Sequence, residues 1–350
     1  MWGVSLSSPE ARPLRAAIFG CAGEALSEEE RRFFREAAPF GFILFRRNCR
    51  DPAQVRRLTE DLRACAGRQD AAILIDQEGG RVARLLPPHW HALPRAAAIG
   101  ALYAADRDRG REAAWLAGRI AAADLAAVGI NVDCAPVLDV WQKDAHRDAI
   151  GDRAYGSDPE AVATLGRTFS EGLLAGGVLP VVKHIPGHGR GKADSHFALP
   201  VVDAPAGALA IDLAPFRALA DAPFAMTAHI LYPAWDAAAP ATTSRRIVAD
   251  VIRGEVGFRG LLMTDDLSMQ ALQGGLAERA AASIAAGCDL VLHCNGNMAE
   301  MREVAATCPP LSDPAAGRWE RARAMLRRPE PFDVAAGAAR LAALLRGPDV

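Results

Sequence analysis

The sequence predicts a closed (β/α)8 barrel, and three observations carry that expectation. Eight short apolar runs alternate with longer helical patterns. Each run is continuous rather than alternating, as expected of strands buried on both faces of a parallel sheet. The alternation fills roughly 300 residues, an ordinary size for this architecture. An open doubly wound sheet stays possible at this level, because strand order is not encoded in any single run.

The predicted strands are Ala16–Gly20, Gly41–Phe45, Ala71–Asp76, Ile130–Pro136, Leu179–His184, Phe224–Ile230, Leu261–Asp265 and Asp289–His293. Helices are expected between them. Ser27–Ala38 opens on a Ser cap with acids in its first turn. Asp51–Ala66 and Asp158–Ala175 both open Asp-Pro, with Pro where a helix tolerates it. Arg111–Val128, Ala206–Ala220, Ser244–Val256, Leu276–Ala286 and Asn297–Ala306 complete the set. Past Ala306 the prolines at 309, 310, 314, 329 and 331 interrupt the chain, and Ala335–Leu345 reads as a terminal helix. The expected organisation is a catalytic barrel over residues 1–308 and a tail, 309–350, packed on it.

Composition narrows the function classes. Of 350 residues, 51% are hydrophobic and 23% charged, which suits a globular chain with a large core and excludes coiled coil, collagen and disorder. The formal net charge is -2, so no bulk positive charge is available for nucleic acid or an anionic membrane. Seven cysteines, an odd number without a CxxC, argue against a disulfide framework and for a reducing compartment. Neither a secretory signal nor an apolar run of 18 residues is present. A cytoplasmic enzyme or binding protein, expected as a monomer, is the resulting reading.

Polar residues collect at the C-terminal strand ends, where barrel active sites form. Strand three ends Asp76-Gln-Glu-Gly-Gly-Arg81 and strand four runs Asn131-Val-Asp133. Strand five ends Lys183-His184-Ile-Pro-Gly-His188-Gly189, strand six His229, and strand seven Thr264-Asp265-Asp266. One such end is readily a structural ion pair; five facing one mouth indicate a reactive centre. Neighbours in a strand face opposite ways, so one of Asp265 and Asp266 should face the pocket while the other caps the next turn. Beyond the strand-five loop, Asp194 and His196 stand two apart, a spacing at which a carboxylate can orient an imidazole for proton transfer near neutral pH. A pocket carboxylate opposite a proton donor is the minimum for cleaving an acetal. The same histidines and carboxylates could in principle bind a divalent ion, but His184 and His188 are separated by a Pro-Gly turn and do not share a helix face.

Four segments together resemble the family 3 glycoside hydrolases: Asp76-Gln-Glu-Gly-Gly-Arg-Val-Ala-Arg84, Lys183-His-Ile-Pro-Gly-His-Gly189, Asp194-Ser-His196 and Thr264-Asp-Asp-Leu-Ser-Met269. More narrowly, they are similar to the single-domain bacterial β-N-acetylhexosaminidases of peptidoglycan recycling. The resemblance spans about residues 16–300 and implies a (β/α)8 barrel. It implies Asp265 as nucleophile, His196 as proton donor and acceptor, and Asp194 as its orienting partner. Asp76, Arg84, Arg153 and the Lys183–His184 pair would hold the sugar. No cofactor and no metal are expected, and the resemblance further implies an amino-sugar substrate of the N-acetylglucosamine–anhydro-N-acetylmuramic acid type. Ile185 stands where the family usually has Phe, and the Arg190–Ala193 stretch departs from the common pattern. A β-glucosidase of the family, or a sugar-binding protein without catalysis, are the alternatives. The first usually draws its acid from a second domain; the second would lack the nucleophile or the dyad.

Overall fold

The structure, a computed structural model, describes residues 13–143, 145, 149–192, 195 and 198–346. Among them, eight strands pair in parallel and in chain order: β1 (Arg15–Gly20), β2 (Pro39–Leu44), β3 (Ala72–Ile75), β4 (Val132–Asp133), β5 (Leu179–Ile185), β6 (Phe224–Thr227), β7 (Leu261–Asp266) and β8 (Leu290–His293). Pairing of β8 back onto β1 closes the barrel, and the open-sheet alternative falls away. The strand expected over Ile130–Pro136 is reduced to two residues. Pro136 has no N–H to give the ladder, but single bonds to β5 continue past it: the Val181 and Lys183 amides donate to the Ala135 and Pro136 carbonyls at 3.1 and 3.2 Å, and the Leu138 amide donates to the Lys183 carbonyl at 2.7 Å.

The outer layer is built from α1 (Glu28–Ala37), α2 (Pro52–Ala66), α3 (Ala96–Ala105), α4 (Arg107–Ala127), α5 (Pro159–Ala175), α6 (Ala206–Ala218), α7 (Leu276–Ala286) and α8 (Met298–Thr307). The caps read from sequence are present: Ser27 closes a capping box with Glu30, and Asp51 and Asp158 cap helices whose first turn holds Pro. The helix expected over Ser244–Val256 is instead π-helical over Ile247–Glu255, with Val256 N–H bonding to the Val251 carbonyl. Helix α3 is absent from the helices expected above, although its alanine content favours a helix. Its residues, AAAIGALYAA, have no amphipathic period, and Arg95 makes no side-chain cap.

The tail adds α9 (Asp313–Ala324) and α10 (Val334–Arg346). The first lies in the stretch expected to be broken by proline. Pro314 in fact opens this helix behind a Ser312 cap, a start signal rather than a stop. Side chains of α9 complete the barrel interior. Ala315, Trp319 and Ala322 join Ile18, Phe40, Leu74, Val181, Phe224 and Leu290 in one buried cluster, with the Trp319 ring 5.0 Å from Phe40 and 6.2 Å from Phe224. Asp289 holds both Arg318 of α9 (2.9 Å) and Arg253 (2.7 Å). Thus the tail helix seals one end of the barrel and leaves the other as the mouth. Among the described residues no helix is long and apolar enough to cross a membrane.

Because the buried Trp319 ring fills the sealed end of the barrel, Trp319→Ala should destabilise the protein by about 3–5 kcal/mol. Chemical denaturation checks this; the Michaelis constant of the folded variant should not move.

Candidate active site

The mouth of the barrel contains a cavity lined by Asp76, Glu78, Arg84, Arg153, Lys183, His184, His188 and Asp265, with Phe45, Met226 and Met269 on its apolar side. Asp76, Glu78, Lys183, His184 and Asp265 stand at, or just beyond, the C-terminal ends of strands, because a parallel barrel aims all eight ends the same way, while Arg84 and Arg153 are carried in by the connections that follow β3 and β4. Six residues named from the sequence, Asp76, Arg84, Arg153, Lys183, His184 and Asp265, therefore converge although up to 189 positions separate them. Asp194 and His196 lie outside the described residues.

Lys183 sits at the centre. Its Nζ is 2.8 Å from Asp76 Oδ1 and 2.7 Å from Glu78 Oε1, and its side chain is 2% exposed. Glu78 also grips Arg153 with two bonds, of 2.8 and 2.7 Å. Asp76 Oδ2 takes Arg84 at 3.0 Å, and that guanidinium lies 5.2 Å over the Phe45 ring. Burial alone would raise both carboxyls. Lys183 and Arg84 outweigh it at Asp76 and hold that group well below the usual range. Arg153 and Lys183 do the same at Glu78, bringing it to about 2. The cations gain in turn: Lys183 and Arg153 stay charged although burial opposes it.

Local structure explains the precision. Gln77 clamps the excursion after β3: its Oε1 accepts the amides of Arg84 (2.9 Å) and Leu85 (3.0 Å), and its Nε2 donates to the Leu85 carbonyl (2.9 Å). This returns Arg84 to Asp76. Arg153 belongs to a short 3-10 turn, Gly151–Arg153, backed by α3. A Cβ on Gly100 of α3 would stand 1.6 Å from the Tyr155 carbonyl oxygen, so only glycine lets the helix support that turn. Similarly, a Cβ on Gly189 would stand 2.0 Å from the Val140 carbonyl oxygen, which holds the strand-five loop against the β4 connection.

Asp265 and Asp266 both line the cavity, where strict alternation would have placed one. The register between β7 and β8 shifts between Met263 and Asp266, and this breaks the two-residue period. Their duties still differ as expected. Asp266 caps the following turn, accepting from Ser268 N (3.1 Å) and Ser268 Oγ (2.5 Å), while among the described residues Asp265 Oδ1 accepts the next amide, at 2.8 Å. Burial would raise the Asp265 carboxyl, but His184 and His229 overcome it and keep the group ionised. His229 is a strut: its two nitrogens meet Thr242 Oγ1 at 2.7 Å and the Asp266 carbonyl at 3.1 Å. His188, pushed by burial down to about 4, is neutral at pH 7. Among the described residues no three His, Cys, Asp or Glu groups are arranged to hold a metal ion.

Two residues had no role in the sequence reading: Glu78, and Asp139, which supports the site through His184 Nδ1 at 2.7 Å. Glu78 lay inside a recognised segment. Asp139 lay in none, and its only signal was a lone charge inside the apolar stretch Val137-Leu-Asp-Val140.

Known proteins resemble this chain in both sequence and fold. Residues 10–313 match the glycosyl hydrolase family 3 N-terminal domain. The chain belongs to that family. A β-hexosaminidase of Chromobacterium violaceum is 40% identical over 315 residues, 88% of this chain and 87% of that protein. One from Aromatoleum aromaticum is 36% identical, covering 92% and 90%. The crystal structure of NagZ from Neisseria gonorrhoeae in complex with N-trifluoroacetyl-D-glucosamine superposes with a TM-score of 0.84 at 34% identity, over 95% of this chain and 98% of that one. The β-N-acetylglucosaminidase of Thermotoga maritima has a TM-score of 0.71 at 27% identity, and this chain spans 67% of it.

Asp133 offers a separate test of the electrostatics. It is fully buried beneath the network, with Oδ1 accepting the Gln77 amide at 2.9 Å and Oδ2 without a partner among the described residues. Burial raises its carboxyl to about 8. An unfolded aspartate releases its proton near pH 4 (about 3.9). The stability associated with the neutral acid is therefore complete below that pH and is lost as pH rises towards 8. Asp133→Asn cannot ionise. Its melting temperature should gain on the wild type between pH 5 and pH 8.5; a constant difference would mean that Asp133 is ionised throughout.

Proposed function

We propose that this family 3 glycosidase, of the β-N-acetylhexosaminidase type, removes terminal β-linked N-acetylglucosamine with retention of configuration. One observation carries the reading: an ionised carboxylate, Asp265, faces the cavity in which Lys183, Arg153, Arg84, His184 and Asp76 present charged and hydrogen-bonding groups. A pyranose is a ring of hydroxyls, and such a set suits it. Asp76 accepts from hydroxyls, while Lys183, Arg153 and Arg84 donate to sugar oxygens, fixing the pose before reaction.

The proposed reaction has two steps. Asp265 attacks the anomeric carbon, and the bond to the leaving oxygen breaks as His196, held by Asp194, gives that oxygen its proton. The resulting glycosyl ester is then hydrolysed: neutral His196 takes a proton from water, the water oxygen attacks the anomeric carbon, and the Asp265 carboxylate is released. A histidine acid places no second carboxylate against the leaving oxygen, which suits an anionic acceptor. The proposed natural substrate is the N-acetylglucosamine–anhydro-N-acetylmuramic acid unit of peptidoglycan turnover, with or without its peptide. The complex of the similar gonococcal NagZ with N-trifluoroacetyl-D-glucosamine supports the amino sugar. A reducing, cytoplasmic site of action is proposed on the seven cysteines, which are all unpaired and buried. We also propose that the protein acts as a monomer, with residues 1–308 as catalytic barrel and 309–350 as its packed tail.

The test is direct. Purified protein should hydrolyse an aryl β-N-acetylglucosaminide and release the β-anomer first, as followed by proton NMR. Asp265→Ala should abolish turnover while leaving the fold intact. Hydrolysis of an aryl β-glucoside alone would overturn the assignment.

His196→Ala should slow substrates with poor leaving groups by roughly 10²–10⁴-fold and activated aryl glycosides far less. Equal slowing of both would remove His196 from the role of acid.

A further inference from the structure

We propose that Asp139 is a positioning residue of this site, which locks the His184 imidazole with its proton on Nδ1 and thereby presents Nε2 to the sugar. The importance of His184 for catalysis rests on the function proposed above; the place of the proton does not.

Asp139 is entirely buried and follows β4 by six residues. Its two oxygens have different partners. Oδ1 accepts two backbone amides, His188 N at 2.6 Å and His184 N at 3.2 Å. Oδ2 meets His184 Nδ1 at 2.7 Å. Burial would raise this carboxyl, but His184 first, and the His188 amide with it, hold it below the ordinary range. A carboxylate only accepts hydrogen bonds, so Nδ1 must carry the hydrogen. The ring is then fixed in orientation, with Nε2 on the cavity side, 3.5 Å from the Arg153 guanidinium. The nearby His188 ring does not compete for Asp139: it turns away, its Nε2 3.4 Å from Ser195 Oγ.

The arrangement makes one substitution unusually informative. An amide at position 139 has one accepting end and one donating end. Two backbone N–H groups converge on the Oδ1 side, so the amide oxygen must occupy it. The NH2 group then confronts His184 Nδ1, which must surrender its hydrogen. Asp139→Asn, nearly isosteric, therefore moves one proton across the ring and turns Nε2 into an N–H facing Arg153. Orientation of an imidazole by a buried carboxylate is a general device of catalytic sites, and the amide replacement imposes the wrong tautomer.

The experiment uses the full chain with 15N-labelled histidine, and His184→Gln to assign the resonances. In the wild type at pH 7.5, His184 Nδ1 should be protonated; in Asp139→Asn it should be bare, with the hydrogen on Nε2. For an aryl β-N-acetylglucosaminide, kcat/KM of Asp139→Asn should fall roughly 10–100-fold, the range found when such supporting partners are removed elsewhere. Asp139→Asn/His184→Gln should then be no slower than His184→Gln. A wild-type Nδ1 without hydrogen would overturn the proposal, and that measurement needs no folded Asp139 variant. Losses that multiply in the double variant would overturn it too, since Asp139 would then act without His184. Failure of the wild type to cleave the glycoside would refute the proposed function alone; the nitrogen spectrum would still read the proton.

Discussion

The ammonium of Lys183, shut between Asp76 and Glu78 at the floor of the mouth, is the constraint from which the site is built. A lone cation that deeply buried would be several kcal/mol unfavourable, and so would either carboxylate alone. Each is tolerated only because the others stand within about 3 Å. The charges come from different strand ends, so the network is satisfied only when β3, β5 and the β4 connection are in register. Removing one member leaves its neighbours uncompensated, which typically costs about 3–5 kcal/mol. The same network that is demanding to bury is thus demanding about geometry.

That rigidity has a chemical use. Hydrogen-bond donors and acceptors for a sugar are effective when their positions are settled before the ligand arrives. Lys183, Arg153 and Arg84 are each tethered by carboxylates, and Asp76 and Glu78 by cations, so the cavity presents a fixed pattern of charge. Gln77 closes the Arg84 excursion and Gly100 admits the turn bearing Arg153, extending the tethering into the backbone. At the opposite end, Trp319 and the Asp289 ion pairs close the barrel, so the strand ends are held from below as well as from within.

Much of this was legible from the residues. Continuous apolar runs mark strands covered on both sides, and the caps at Ser27, Asp51 and Asp158 mark where helices begin. A strand count of eight with polar residues gathered at the same ends then indicates where a site must form. Three things were not legible. Helix α3 lacks both period and cap, and its one local signal is alanine content, which favours a helix without marking its ends. Pro314 reads as a breaker until Ser312 is seen to cap the helix it starts. Asp139 carries no motif, because its meaning is the company it keeps: two amides and an imidazole some 45 residues onward.

Architecture and chemical inventory were thus written into the chain itself, since burial pattern, capping and residue type are local properties. Which groups share an ion pair or a cavity was settled only by folding: that Lys183 bridges two carboxylates, that both Asp265 and Asp266 reach the cavity, and that burial pushes the Asp133 carboxyl up. Such facts depend on separations of a few ångströms between distant segments and on how much water is excluded around them. Neither quantity is a property of any stretch of residues; both exist only once the barrel has closed.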